Sequence, residues 1–165
     1  MMNPNAMCAC LLALLLAGCA SGISPNAKAQ VTNTDSFSAL QAQPDRYEGE
    51  TVLLGGRILE VSPSSAATEL IVLELPLDWQ DRPKGRENSQ GRFLVQAAEF
   101  LDPALFKPGA LLTVVGTLKG AENRTIGGFS YRHPRLVPTE IKLWPATPDR
   151  SSPAFHFGVG VGTYF

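Results

Sequence analysis

Apolar residues fall into one unbroken run near the amino terminus and five shorter segments in the body of the chain. The run covers residues 7–17, and a polar stretch of residues 20–35 separates it from the rest. The shorter segments are rich in Val, Leu and Ile and are bounded by turn-forming residues, which is the pattern of β-strands. We predict five strands, over residues 51–61, 69–77, 91–97, 111–119 and 136–144, and a small hairpin at 126–131.

Two of the predicted strands have a clear inward face. Side chains alternate between the two sides of a strand, so residues two apart share a face. In the third strand this face consists of Phe93, Val95 and Ala97, and in the fourth of Leu112, Val114, Gly116 and Leu118. We expect both faces to fill the same interior.

Paired glycines, Gly55 and Gly56, lie in the middle of the first predicted strand. Glycines inside a strand usually mark a bulge or a close approach of backbones, as in small barrels where one strand serves two halves of the sheet. The alternative is a phosphate-binding loop. That loop needs a following helix and a Lys-Ser/Thr pair, which this segment lacks, so we predict a sharply bent strand.

Two short helices are predicted outside the strands. The first covers residues 36–41, begins at Ser36 as N-cap and ends before Pro44. The second begins at Asp102, an N-cap followed by proline, and ends at the Pro-Gly pair of residues 108–109. The fold class is therefore mainly β, in the order of a five-stranded OB-type barrel with a short helix between strands three and four. A β-sandwich and an open meander are the alternatives.

The apolar run at residues 7–17 is too short to cross a bilayer, because a spanning helix needs about 20 apolar residues. Its length is typical of the hydrophobic region of a signal peptide. It ends in Leu16-Ala17-Gly18-Cys19, which resembles a lipobox. We therefore predict a signal peptide over residues 1–18, cleaved before Cys19, with a diacylglycerol on that thiol and an acyl group on the new amino terminus. A buried hydrophobic helix is the alternative.

The residues around this motif refine the prediction. Residues 1–6 carry no Lys or Arg, unlike most export signals, so Met7 is an alternative start. Ala20 follows the lipid cysteine where aspartate would resemble an inner-membrane retention signal, and this favours the outer membrane by analogy. Residues 20–35 contain few large apolar side chains, so we predict a flexible tether over 19–35 and a barrel domain over 36–145.

Composition excludes several classes of function. The chain has 14 Lys and Arg against 15 Asp and Glu, a net charge of −1, which argues against a nucleic acid partner. All three cysteines, at positions 8, 10 and 19, lie near the amino terminus, so the body has no disulfide framework or thiolate metal site. We expect packing alone to stabilise the fold.

No catalytic constellation is visible. The two histidines, His133 and His156, are not at metal-ligand spacing to another ligand, and we interpret both as surface residues. The serines lack the Gly-x-Ser-x-Gly pattern of an esterase nucleophile. We therefore predict no enzymatic activity, no cofactor and no metal site.

Two exposed regions each have two interpretations. Residues 78–90 are polar, with acidic and basic side chains mixed, and form either a solvated surface or the rim of a binding site. Residues 146–165 are a Pro-rich linker followed by a Gly and aromatic tail that ends in Phe165. The tail is either flexible or paired with a sheet edge, or it contacts a membrane surface or a partner. It cannot span lipid as one strand, because its backbone groups would stay unpaired.

Six short motifs in order, spread over residues 37–144, resemble the Slp family of outer-membrane lipoproteins of Gram-negative bacteria. They are Pro44-Asp45-Arg46-Tyr47-Glu48-Gly49, Gly55-Gly56-Arg57-Ile58, Leu75-Pro76-Leu77-Asp78, Gly91-Arg92-Phe93, Phe100-Leu101-Asp102-Pro103 and Val115-Gly116-Thr117. The resemblance implies an envelope component linked to starvation or stationary phase. The tail after Trp144 departs from the family pattern, so the resemblance implies nothing there.

The leading hypothesis is a non-enzymatic protein, anchored by lipid on Cys19 to the periplasmic face of the outer membrane, whose barrel presents a loop surface to envelope partners. The rival hypothesis is a tethered periplasmic domain that binds a small molecule or glycan. A convergent polar pocket would favour the rival, whereas an interior filled by side chains would favour the leading hypothesis.

Overall fold

The computed structural model describes residues 22–85 and 88–145. Three short helices precede the strands: α1 (Pro25–Lys28), α2 (Phe37–Ala42) and the 3₁₀ helix η1 (Pro44–Tyr47). The five strands are β1 (Thr51–Pro63), β2 (Thr68–Glu74), β3 (Arg92–Ala97), β4 (Leu111–Ile126) and β5 (Phe129–Leu143). They form a closed barrel in the order β1-β2-β3-β5-β4, which confirms the predicted five-stranded barrel.

Strand β1 serves two halves of the barrel, as the paired glycines predict. Its residues 51–57 pair with β4 and its residues 56–63 pair with β2, so both pairings meet at Gly56. A Cβ atom at Gly56 would collide with the Leu73 carbonyl oxygen, and one at Gly55 would collide with the Leu77 side chain. The bend therefore requires residues without side chains. On the other side, parallel pairing of β3 with β5 closes the barrel.

Side chains fill the barrel interior. The inward faces predicted for the third and fourth strands are confirmed, because all their members are buried. Helix α2 adds Phe37 and Leu40, and the Phe37 ring lies 6.0 Å from that of Phe93 between centroids. The other side chains of the core are Tyr47, Val52, Leu54, Ile58, Leu70, Val72, Leu101 and Leu136. Each buried side chain of this size contributes roughly 1.5–3 kcal/mol, so packing accounts for much of the stability.

The helix predicted between strands three and four is absent, and residues 102–109 form turns instead. The Asp102 carboxylate accepts from the Ala104 N–H at 2.8 Å, as a cap would, and the Phe106 N–H donates to the Asp102 carbonyl. This is a single helical turn. Pro108 has no N–H group with which to extend the turn. A single turn also forms too few hydrogen bonds to offset the conformational entropy lost in helix nucleation.

Residues 22–35 lie within the segment predicted as a flexible tether (residues 19–35), and in the structure they pack against the barrel; we call them the N-terminal strap. Ile23 and Ala27 of the strap are buried against Val115, and Val31 and Leu53 pack beside them. The three apolar side chains of the strap therefore share one cluster with side chains of β1 and β4. This cluster covers an apolar patch on the outer side of β1 and β4, and the burial orders the segment.

Polar contacts fix the strap at both ends. Near its start, the Glu140 carboxylate accepts hydrogen bonds from the Ser24 hydroxyl and from the Ser24 N–H, and these bonds lower the pKa of Glu140. Near its end, the Thr32 N–H donates to the Thr51 carbonyl at 2.9 Å. The strap thus contacts the barrel at both of its ends, before residue 36, where we predict that the barrel domain begins.

Strands β4 and β5 are longer than predicted and form one hairpin, so the small hairpin predicted at 126–131 is its tip. Gly127 and Gly128, both with positive φ, make the turn. The Arg124 guanidinium lies 2.7 Å from the Glu69 carboxylate of β2, and this ion pair holds the hairpin against the barrel. It also lies 2.9 Å from Glu122 on its own strand. In the described part of the chain, no helix has the length and apolar character to cross a membrane.

Candidate functional site

The two ends of the described chain lie at the same loop. A Cβ atom built on Gly22 would be 2.9 Å from a carboxylate oxygen of Asp81 and 3.1 Å from the Gln80 carbonyl oxygen. At the other end, the Arg82 guanidinium donates to the Pro145 carbonyl at 3.5 Å. We call the region formed by Gly22, residues 77–85 and residues 144–145 the anchor surface. The predicted lipid site, Cys19, lies outside the described residues, three positions before Gly22.

The Asp78 carboxylate organises the loop of the anchor surface. It accepts hydrogen bonds from the N–H groups of Gln80, at 2.8 Å, and Arg82, at 3.0 Å, while Leu77 and Pro83 pair as a β-bridge. These hydrogen bonds, that of the Arg82 N–H most strongly, hold the pKa of Asp78 below its ordinary value. The result is a tight turn in which the Asp78 carboxylate stays ionised at neutral pH and keeps its hydrogen bonds.

Contacts to the barrel fix this turn in place. Lys28 of α1 forms an ion pair with Asp81, and the Thr113 hydroxyl donates to the Asp81 carbonyl. The same hydroxyl accepts from the Trp144 indole N–H at 2.9 Å, and the Arg82 guanidinium lies 5.6 Å from the centroid of the Trp144 ring. Trp144, the first residue after β5, is therefore held against this loop.

The predicted exposure of residues 78–90 holds for only part of the loop. The side chain of Asp81 is 14% exposed and Pro83 is buried, so these residues belong to the packed body. Trp79 is 86% exposed, the highest value among the large apolar side chains that the structure describes. Arg86 and Glu87 lie outside the described residues. The charged side chains of Asp78 and Asp81 thus stabilise the turn, and the Trp79 indole is its solvent-exposed apolar group.

A cleft of about 410 Å³ lies between the strap and β1. Its lining is mainly apolar, and the polar side chains in it are Lys28, Asn33, Thr34 and Asp35. The Tyr47 hydroxyl donates to Asp35 at 2.8 Å, and this bond raises the pKa of Tyr47. Across residues 22–85 and 88–145, no group of three or more His, Cys, Asp or Glu side chains is placed to hold a metal ion.

The surface position predicted for His133 is wrong. Its side chain, on strand β5 of the hairpin, is 1% exposed, with Nδ1 3.0 Å from the Tyr131 carbonyl oxygen. Burial lowers its pKa, so the imidazole is neutral at pH 7. It pairs in register with Glu122 and does not line the cleft. His156 lies outside the described residues, as do the predicted signal peptide and the tail.

Comparison with known proteins identifies relatives over most of the chain. The sequence model of the family described as "Outer membrane lipoprotein Slp family" matches residues 16–160. The chain is 31% identical over 154 residues to "Uncharacterized lipoprotein YeaY" of Escherichia coli K12, covering 90% of this chain and 79% of the relative. It is 33% identical over 135 residues to "Outer membrane protein Slp" of the same organism, covering 81% and 71%.

Solved structures give a weaker likeness. The mitochondrial single-stranded DNA binding protein Rim1 of S. cerevisiae aligns with 58% of this chain and 95% of its own, with 17% identity and a TM-score of 0.36. A small single-stranded DNA-binding protein from Streptomyces coelicolor aligns with a TM-score of 0.37 and 15% identity. At these scores the likeness supports no conclusion about function.

Proposed function

Because this chain belongs to the Slp family of outer membrane lipoproteins, we propose that it is anchored through lipid on Cys19 and holds its barrel at the periplasmic face of the outer membrane. The lipobox supplies the attachment site. Several acyl chains on one cysteine give firm anchoring, whereas a single chain binds only marginally. The protein acts without catalysis, as an envelope component that presents its barrel to partners.

The docked strap is the observation that carries this proposal. It begins at Gly22, three positions after the lipid cysteine, and its burial against Val115 fixes that point on the barrel. The interior of the barrel is filled by side chains, which favours a presenting surface over an internal ligand site. We further propose that the protein accumulates in starvation or stationary phase, as the family resemblance implies.

Mass spectrometry of the protein purified from Gram-negative envelopes tests the anchor. We expect a mature chain that begins at Cys19 and carries a diacylglycerol and an amide-linked acyl chain. The Cys19→Ser variant should lose the lipid and leave the outer-membrane fraction. Cys10→Ser, a change within the same leader, is the matched control and should leave both unchanged. A bare thiol at position 19, or an uncut leader, would refute the proposal.

The cleft beside the strap supports the second candidate, a tethered domain that binds a small apolar molecule. A volume of about 410 Å³ lies within the range of ligand pockets, roughly 300–1,000 Å³. Native mass spectrometry of the envelope-purified protein tests it. A bound species that disappears when Leu53 is replaced by Trp, which narrows the cleft, would favour this candidate over simple presentation.

A further inference from the structure

The position of Trp79 indicates which surface of the barrel faces the bilayer. Trp79 is one of two tryptophans in the chain and is 86% exposed at the tip of the turn that Asp78 organises. A large apolar side chain with one polar N–H group is costly to leave in water and suits the boundary between lipid headgroups and acyl chains. An ordered turn that displays such a ring is suited to contact with a membrane surface.

The short stretch of chain between Cys19 and Gly22 limits how far a lipid on Cys19 can lie from this ring. Three residue steps separate Cys19 from Gly22, and an extended chain advances at most about 3.6 Å per residue, so Cys19 lies within roughly 11 Å of Gly22. Gly22 itself rests against Gln80 and Asp81, the two residues that follow Trp79. Acyl chains that leave Cys19 for the membrane therefore bring the bilayer surface to the same loop.

We propose that the anchor surface rests on the bilayer and that the Trp79 indole inserts into the headgroup region next to the lipid on Cys19. This inference rests on the proposed function, because it takes the acylation of Cys19 as given. The described loop 77–85 carries two acidic residues, Asp78 and Asp81, and two basic ones, Arg82 and Lys84. Its charges balance, so contact with the bilayer depends on the indole and the acyl chains and requires no anionic lipid.

The opposite end of β4 then points away from the membrane. Thr113 contacts the anchor surface, whereas Phe129, 72% exposed, lies past the far end of the same strand. Thirteen residue steps separate Thr113 from Ile126, a path of about 40 Å along a strand. The hairpin tip is therefore an exposed apolar region far along the strand from the anchor surface, and Phe129 supplies a matched control for Trp79.

Quenching of tryptophan fluorescence tests the inference in the complete lipidated protein. The protein is reconstituted in phosphatidylcholine vesicles whose acyl chains carry bromine, and its emission is compared with that in unbrominated vesicles. We expect the wild type to lose most of the Trp79 emission. Trp79→Phe leaves only Trp144, which is 8% exposed at the edge of the anchor surface, so its emission should be quenched far less than that of the wild type. Phe129→Ser should be quenched like the wild type.

Mass spectrometry of the same samples separates this inference from the proposed function. An acylated Cys19 together with unquenched Trp79 would overturn the inference alone. A bare thiol at position 19 would overturn both. Quenching in Trp79→Phe as strong as in the wild type would also overturn the inference, because the Trp79 indole would then contribute nothing to it. Trp79 is exposed, so its replacement should not affect folding, and an unchanged circular dichroism spectrum checks this.

Discussion

Replacing Ile23 with alanine should destabilise the whole domain, although the residue lies in a segment whose composition suggests disorder. Ile23 is 5% exposed and packs with Ala27 against Val115. The change removes three carbon atoms from this contact. At about 0.8 kcal/mol for each buried CH₂, the free energy of unfolding should fall by roughly 2 kcal/mol, with a further cost if the cavity does not close.

Urea unfolding of a soluble Cys19→Ser chain that lacks residues 1–18 measures this effect. The midpoint should fall while the slope against denaturant stays constant, because the surface exposed on unfolding hardly changes. Asn26→Ala is the matched control: Asn26 lies in α1 of the same strap, is exposed, and should shift the midpoint little. Equal midpoints for Ile23→Ala, Asn26→Ala and the parent chain would refute this reasoning and would favour a flexible tether over residues 22–35.

Three further outcomes follow from single positions. Gly56→Ala should prevent closure of the barrel, because the added Cβ meets the Leu73 carbonyl oxygen; loss of the cooperative thermal transition would demonstrate it, and an unchanged transition would contradict it. The pKa of His133 is lowered in the folded state, so at a pH below the ordinary histidine value of about 6.5 the unfolded state binds more protons than the folded state. The free energy of unfolding should therefore fall as the pH drops below about 6.5, and His133→Gln should reduce this dependence on pH. Trp144→Phe removes the indole N–H that donates to Thr113 and should cost about 1–2 kcal/mol in urea unfolding, whereas no change would mean that the contact contributes nothing.

The barrel could be predicted because its signals are local. Each strand is a short segment rich in Val, Leu and Ile, two of them alternate clearly, and the glycine pair of β1 marks the bend by composition alone. Helix α2 begins after Ser36, as predicted, because a short polar residue followed by apolar residues three apart is a local pattern. Such features depend on neighbours in sequence, so no knowledge of distant contacts is needed.

The strap and the buried histidine could not be predicted in this way. Ile23 is ordered only because Val115, 92 positions later, presents an apolar side chain on the outer side of the barrel. His133 is buried only because the hairpin of β4 and β5 lies against the barrel, a position that the pairing of Arg124 with Glu69 stabilises. In both cases the deciding partner is distant in sequence, and the residue's own surroundings look polar.

The strap also changes what a lipid on Cys19 would do. A flexible stretch from residue 20 to residue 35 would give a root-mean-square reach of about 20–24 Å, so the barrel would reorient freely above the bilayer. With the strap docked, only three residue steps, at most roughly 11 Å, separate Cys19 from the body of the domain. Because this link is short and Gly22 is fixed beside Asp81, the lipid would restrain the orientation of the barrel as well as its location. Under the proposed anchoring, an envelope partner would then meet the far hairpin more often than the anchor surface.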